Sequence, residues 1–336
     1  MSHDAAAQAL ANADFTLIAR RFADAGWAVG LPAEGILAVS APASDGRRPR
    51  LLLSVGVHGD ETAPITMLAC LLDAISRMPA ALACDLMLVV GNPAAIAQGK
   101  RFLEVDLNRL FRTQREGLDG MREAARADAI MQAVSAFFGG DGVNGDGLRW
   151  HLDLHTAIRP SRYPTFAVVP DVIAETEKPG LLGFLGAAGI GAAILSGSAA
   201  GTFSAWTAAR FAATSATLEL GQVSALAGND PGRFADTRAA IDALLRRGKP
   251  VGGRMPEVFR VSQELTKHSD AFRMAFGKDT VNFTPLEPGS LIAEDGGTAY
   301  RVGKQTEYVV FPNPDVRPGL RAGLMVVKTS FPQVQG

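Results

Sequence analysis

The chain has 336 residues, 47% hydrophobic and 20% charged, with 33 basic against 34 acidic side chains and a net charge of −1. That balance excludes a disordered or collagen-like chain and removes any global attraction to nucleic acid or acidic membranes. Two cysteines, Cys70 and Cys84, are too few for a stapled secreted scaffold and fit a reducing compartment.

In chain order, the N-terminal "MSHDAAAQALANADF" has no basic region ahead of an apolar one, so it does not read as a signal peptide. "GWAVGLPAEGILAVSAP" predicts a hairpin punctuated by Gly and Pro, and "RPRLLLSVGV" a strand buried on both faces, because its apolar residues run without alternation. "TAPITMLACLLDAISRM" has helical spacing with Pro64 in the first turn, "CDLMLVVGNP" is a second buried strand, and "REAARADAIMQAVSAFF" a second helix. "RWHLDLHT", "FAVVP", "AAIL" and "ATLELG" follow as strands, and "PGRFADTRAAIDALLRRG" as a late helix stopped by Gly248. Pro179 to Ala209 carries no charge, but its apolar centre is shorter than the ~20 residues a spanning helix needs and is diluted by Gly and Ala, so a buried helix leading into a strand is expected.

Strands alternating with helices predict an α/β fold, a mixed sheet flanked by helices on both faces. From about residue 254 the texture changes to short alternating segments, "EVFRVSQEL", "NFTPL", "AYRVG", "EYVVFPN" and "GLMVVK", separated by Gly and Pro. A boundary at about 250 is expected, with a larger domain over 1–250 and a small, mostly β domain over 251–336. There is no G-x-G-x-x-G fingerprint and no Walker-type loop to suggest a nucleotide. The expected localisation is cytoplasmic.

The chemistry gathers at strand ends. In "LLLSVGVHGDETAP" a buried strand finishes on His58 and Glu61, whose three-residue spacing would place both on one face of a first helical turn. Ligands bind at the carboxyl ends of strands in open α/β sheets, and zinc accepts imidazole nitrogen and carboxylate oxygen. In "WHLDLHT", His151, Asp153 and His155 share one strand face and Leu152 and Leu154 the other. His155, nearest the strand end, reads equally as a third ligand or as a hydrogen-bonded core histidine; His151 reads as core, and Asp153 could orient an imidazole. "GKRFLEVDLNRLF" sets Arg101, Asn108 and Arg109 among acidic neighbours, either a clamp for a substrate carboxylate or a salt-bridged turn. Glu219, alone in the apolar "ATLELGQ", is either a proton shuttle with a raised pKa or a buried partner for an arginine.

Taken in order, "GVHGDET", "RFLEVDLNR", "LDLHT" and "TLELG" resemble the succinylglutamate desuccinylase/aspartoacylase family of zinc hydrolases, relatives of the zinc carboxypeptidases. The likeness extends through "GTFSAWTAARF" and "YVVFPNPDVRPGLRAGLM" and so covers most of the chain. It implies a carboxypeptidase-like catalytic domain followed by a smaller β domain, one zinc ion held by His58, Glu61 and His155, and Glu219 as the catalytic acid/base. It also implies that Arg101, Asn108 and Arg109 polarise the scissile carbonyl and hold a substrate carboxylate. The implied reaction is hydrolysis of N-succinyl-L-glutamate to succinate and L-glutamate, in arginine catabolism by the succinyltransferase route. "FPNPDVRPG" offers no equivalent of the tyrosine that aspartoacylase brings to its substrate, which counts against N-acetylaspartate. A substrate with three carboxylates asks for further cations; Arg159, Arg162 and Arg210 are the candidates, with Arg159 assigned to the succinyl end. The competing expectations are an aspartoacylase-like or carboxypeptidase-like hydrolase of another acylamino acid, and a metal- or ligand-binding module without turnover. The expected partner is a small acylamino acid, with neither nucleic acid nor membrane, and homo-oligomerisation is left open.

Overall fold

The computed structural model describes residues 3–42, 48–139, 147–197, 201–222, 232, 234–277 and 279–331. The outer ends of the expected domain spans, and two residues at the start of the late helix segment, lie outside them.

The chain begins with two helices, α1 (His3–Ala11) and α2 (Thr16–Asp24), followed by the hairpin β1 (Ala28–Ala33) and β2 (Ile36–Ser40). Then come β3 (Arg50–Val55), α3 (Ala63–Ser76), β4 (Asp85–Val90), the short α4 (Pro93–Ala97) and α5 (Arg122–Gly139). β5 (Arg149–Ala157), β6 (Thr165–Pro170), α6 (Lys178–Ala187), β7 (Ala192–Ser196), α7 (Phe203–Phe211), β8 (Thr214–Gln222) and α8 (Ala235–Arg247) complete the α/β part. After it come only strands: β9 (Glu257–Thr266), β10 (Arg273–Met274), β11 (Thr284–Leu286), β12 (Leu291–Asp295), β13 (Thr298–Arg301), β14 (Glu307–Val310) and β15 (Arg321–Lys328).

Twelve strands form one mixed sheet in the order β1-β2-β4-β3-β5-β8-β6-β7-β9-β15-β14-β11, and β10-β12-β13 form a small second sheet. The centre, β4-β3-β5-β8, is parallel and buried, with one face apolar through Leu51, Leu53, Leu152, Leu154 and Leu218 and polar side chains of β5 and β8 on the other. β9 pairs in parallel with β7, so the C-terminal strands extend the main sheet. α3 is apolar nearly all round, with Ile65, Met67, Leu68, Leu71, Leu72 and Ile75 buried, and it lies in the core shared with α1, α6 and α8 on one side of the sheet. α5, α7 and the 105–111 segment cover the other side through Leu107, Phe111, Ile130, Phe138 and Phe203.

The uncharged stretch around "LLGFLGAAG" is α6, buried as expected. Its glycines have a packing reason: a Cβ on Gly186 would run into the Arg254 carbonyl, and Gly253 N donates to Gly183 O at 2.8 Å. The 252–254 segment therefore crosses directly over the helix on its way to β9. Among the described residues no helix is long and apolar enough to cross a membrane. Cys70 and Cys84 are both free and buried.

Candidate metal centre and active site

Three parallel strands aim their carboxyl ends at one corner. β3 runs beside β5 with Ser54 opposite Asp153 and Val55 opposite Leu154, and β5 beside β8 with His155 opposite Glu219. Because side chains alternate along a strand, His151, Asp153, His155 and Glu219 all emerge on the α7 side, while Leu152, Leu154 and Leu218 enter the opposite core.

His58 and Glu61 stand on the turn between β3 and α3 rather than on the helix itself, which begins only at Ala63 with a proline in its first turn. The turn is closed by Glu61 N donating to His58 O at 3.3 Å, so the three-residue spacing brings the two side chains together without helical backbone. It passes tightly under the 95–100 segment. A Cβ at Gly59 would collide with the backbone of Ala95 and Ile96, and Gly59 N donates to Arg101 O at 3.0 Å. Glycine at that position is what lets Arg101 approach the ligands.

His58, Glu61 and His155 are buried to 4%, 2% and 2% exposure, and one donor atom from each lies within 4.8 Å of the others. The two imidazole centroids are 5.0 Å apart. Both rings are oriented alike. Nδ1 of each faces Glu61, His58 at 2.8 Å from Oε1 and His155 at 2.9 Å from Oε2, while Nε2 of each faces an aspartate, Asp106 Oδ1 or Asp153 Oδ2, both at 2.9 Å. An aspartate that accepts Nε2–H leaves the Nδ1 lone pair for a cation, the usual support of a histidine ligand. Two imidazoles and one carboxylate are a donor set that suits zinc, and the residues present fit a single divalent ion.

The charge pattern agrees. Burial opposes ionisation of His58 and His155, yet the carboxylates around them outweigh it and raise both rings above the usual value. Glu61 and Asp106 are likewise held below the carboxylate range, against burial, by the histidines beside them. Glu219 goes the other way: burial first, then the Glu61 charge, raise it to about 7. One of its oxygens, Oε2, is sealed from solvent and has no hydrogen-bond partner among the described residues. Leaving a buried carboxyl oxygen without a partner costs folding energy, the kind of cost that clusters at functional sites.

The other candidates differ in position. Arg101 Nη1 donates to Glu61 Oε1 at 2.8 Å, at the ligands themselves. Asn108 sits in the 3-10 turn Leu107–Arg109, and its Oδ1 accepts from Phe203 N at 2.8 Å, which leaves the amide NH₂ as its remaining donor. Arg109, half-exposed, is 3.8 Å from Asp106 Oδ2. Arg159 lies farther along the β5 loop, with Nε donating to Pro312 O at 2.7 Å and Nη1 at 3.8 Å from Asp279. Arg162 is exposed, and Arg210 lies over the Phe211 ring at 5.7 Å.

Below His155 a buried polar chain continues through Asp153 and through His151, the core histidine that was expected, to Ser54 and Thr207, which the sequence did not reveal. Ser54 Oγ donates to Asp153 Oδ1 at 2.6 Å, His151 Nε2 is 2.9 Å from Ser54 Oγ, and His151 Nδ1 is 2.8 Å from Thr207 Oγ1 on α7. Burial pushes the His151 pKa down to about 4, so this ring is neutral. Asp106, which receives both His58 Nε2 and Asn108 N (2.9 Å), was also missed. The signals were present: a single hydroxyl inside the oily "LLLSV", and an aspartate two residues before Asn108 in "VDLNR".

A buried two-histidine, one-carboxylate cluster at the strand ends of an α/β sheet, with an unpartnered carboxyl alongside, defines a metal-dependent hydrolase. Residues 47–246 match the succinylglutamate desuccinylase/aspartoacylase catalytic domain, and residues 254–329 the AstE/AspA barrel-sandwich hybrid domain. The sequence is 42% identical to the succinylglutamate desuccinylase of Burkholderia pseudomallei over 299 residues, 88% of this chain and 85% of that one. Among solved structures, the succinylglutamate desuccinylase of Vibrio cholerae superposes with a TM-score of 0.81 at 34% identity, covering 90% of this chain and 88% of that one. That of Chromobacterium violaceum gives 0.76 at 33% identity, covering 94% and 98%. The chain belongs to the succinylglutamate desuccinylase/aspartoacylase family.

Proposed function

We propose that the protein hydrolyses the amide of N-succinyl-L-glutamate, releasing succinate and L-glutamate. The substrate follows the desuccinylases it resembles. The chemistry is carried by one observation: the pairing of β5 with β8 sets Glu219, with a bare buried oxygen, directly beside His155.

His58, Glu61 and His155 would hold a zinc ion, which when bound would supply Lewis acidity toward the amide carbonyl and lower the pKa of a water. Glu219 accepts the proton of the attacking water and returns it to the departing amine, a role suited to a carboxyl whose pKa lies near the working pH. Arg101 places its guanidinium where negative charge grows on the carbonyl oxygen. The Asn108 amide and the Arg109 guanidinium hold a substrate carboxylate, one through a directed N–H and the other through its planar fork. Asp106 and Asp153 keep the two imidazoles turned with Nδ1 inward. Arg159 is proposed for the succinyl end; Arg159→Ala should then raise KM for the succinyl substrate more than for its acetyl counterpart, and an equal rise would remove it. The same reading divides the chain at about residue 250 into a zinc-hydrolase part and a smaller β-rich part, supported by the two matched segments.

The test is turnover of N-succinyl-L-glutamate before and after chelation, with zinc added back. Loss on chelation and return with zinc is the expected result. An active protein indifferent to chelators would end the metal reading, and a zinc-loaded protein inert toward this substrate would end the substrate reading.

A further inference from the structure

β15 opens on Arg321 at an irregularity in its pairing with β9: Arg321 is opposite Thr266, but Gly323 is already opposite Leu265. Such slips re-aim the side chains next to them. The loop before β15 is pinned back over this point, with Asn313 N donating to Ala322 O at 2.7 Å and Lys267 N to Leu320 O at 3.0 Å. Its other end is tied to the β5 loop, just beyond His155, by the bond from Arg159 to Pro312 O. The C-terminal strands are thus fastened against the mouth of the site.

That arrangement brings the half-buried Arg321 within electrostatic reach of Arg109 and Asp106, and of Glu264 on β9. Its side chain makes no hydrogen bond or ion pair among the described residues. Glu264 is exposed, and Asp106 is already committed to His58 and Asn108 N. Burial and then the like charge of Arg109 push the Arg321 pKa down to about 10. Arg109 and Arg321 repel, and neither exposed Glu264 nor engaged Asp106 closes an ion pair with Arg321 among the described residues, so an anion arriving beside both guanidiniums would relieve the repulsion.

We propose that Arg321 joins Arg109 in holding one carboxylate of the substrate, so that a residue of the C-terminal β segment sets part of the specificity. A planar fork from each side suits a single carboxylate. The proposal rests on the substrate reading above, since a substrate with three carboxylates asks for more cationic donors than Arg101 and Arg109 provide.

The experiment uses the zinc-loaded full chain with N-succinyl-L-glutamate and three analogues that each lack one carboxylate: N-butyryl-L-glutamate, N-succinyl-L-glutamine and N-succinyl-L-isoglutamine. Arg321→Ala should raise KM for the full substrate about 10- to 100-fold with kcat changed far less, the scale of a lost charged hydrogen bond. For one analogue, the one missing the carboxylate that Arg321 holds, KM should be unchanged by the substitution. Arg109→Ala should single out the same analogue. Arg321→Gln, which keeps the packed stem, should behave as the Ala variant does and guards against a folding defect, while Arg321→Lys should fall between. Four unchanged KM values, four raised by one common factor, or different analogues singled out by the two arginines would each overturn the proposal. If the wild type turned over none of the four, the substrate reading would fail separately. Calorimetric binding of free L-glutamate and free succinate would then decide Arg321: weaker binding of one product by Arg321→Ala supports it, and equal binding of both overturns it.

Discussion

The floor of the site and its wall are built on opposite terms. Beneath His155, each polar group of the chain Asp153–Ser54–His151–Thr207 has a partner at 2.6 to 2.9 Å. At the wall, among the described residues, Glu219 keeps an oxygen without a hydrogen-bond partner and Arg321 closes no ion pair with Glu264 or Asp106, the carboxylates within its electrostatic reach. A saturated network fixes orientation, because each member is costly to move; an unsaturated one stores binding and proton-transfer capacity for a ligand. The protein separates the two jobs by level along the sheet, with support at the Ser54–Asp153 level and below and the working groups from the His155–Glu219 level upward.

The largest effect should come from the wall. Glu219→Gln removes the proton shuttle without changing shape, and turnover should fall roughly 10²- to 10⁴-fold while metal content and melting temperature hold. Near-normal turnover would erase the distinction, since the bare oxygen would then have no use.

The floor should respond in stability instead. His151 is neutral in the fold, with its pKa at about 4, whereas in the unfolded chain it titrates near ~6.5. Between these values the unfolded state binds a proton that the native state refuses, so stability is lost as pH falls through this window. The full loss is about 3 kcal/mol. Urea midpoints measured across that window should show the slope, and His151→Gln should flatten it. A slope identical in the two proteins would mean that His151 is not the neutral member of the chain.

Asp153→Asn should sit between the two regions in character. It keeps the volume but no longer holds the His155 ring as an acceptor of full charge, and zinc affinity should weaken about 10- to 100-fold, read by competition with a chelating dye. Unchanged affinity would confine Asp153 to packing. The smallest effect is expected away from both regions: Arg77→Ala breaks a surface pair with Asp73 at 3.0 Å, and the cost should stay below about 0.5 kcal/mol in a denaturant titration.

What the sequence disclosed follows the same division. His58, Glu61, His155 and Glu219 could be picked out because each interrupts or terminates an apolar run, and one strand end is a short distance from the next in a parallel sheet. The alternation in "WHLDLHT" also sorted its side chains onto the right faces. α7 went unread, although Thr202 ahead of it accepts from Ala205 N at 3.4 Å in the manner of an N-cap. Ser54 and Asp106 stand out locally as polar residues, but their partners are 99 and 48 residues away, respectively, and nothing local says which distant group each one bonds. Arg321 escaped for a further reason: its place at the mouth depends on β9 extending the main sheet, a tertiary pairing that alternating apolar residues do not specify.

The central claim is that three side chains from β3's turn and β5 together hold one divalent ion. Zinc binding by calorimetry to the metal-stripped wild type and to His58→Ala, Glu61→Ala and His155→Ala tests it most directly. One zinc per chain in the wild type, with affinity sharply reduced in every single variant while the fold persists, is the result predicted. Undiminished one-to-one binding by any of the three would contradict it.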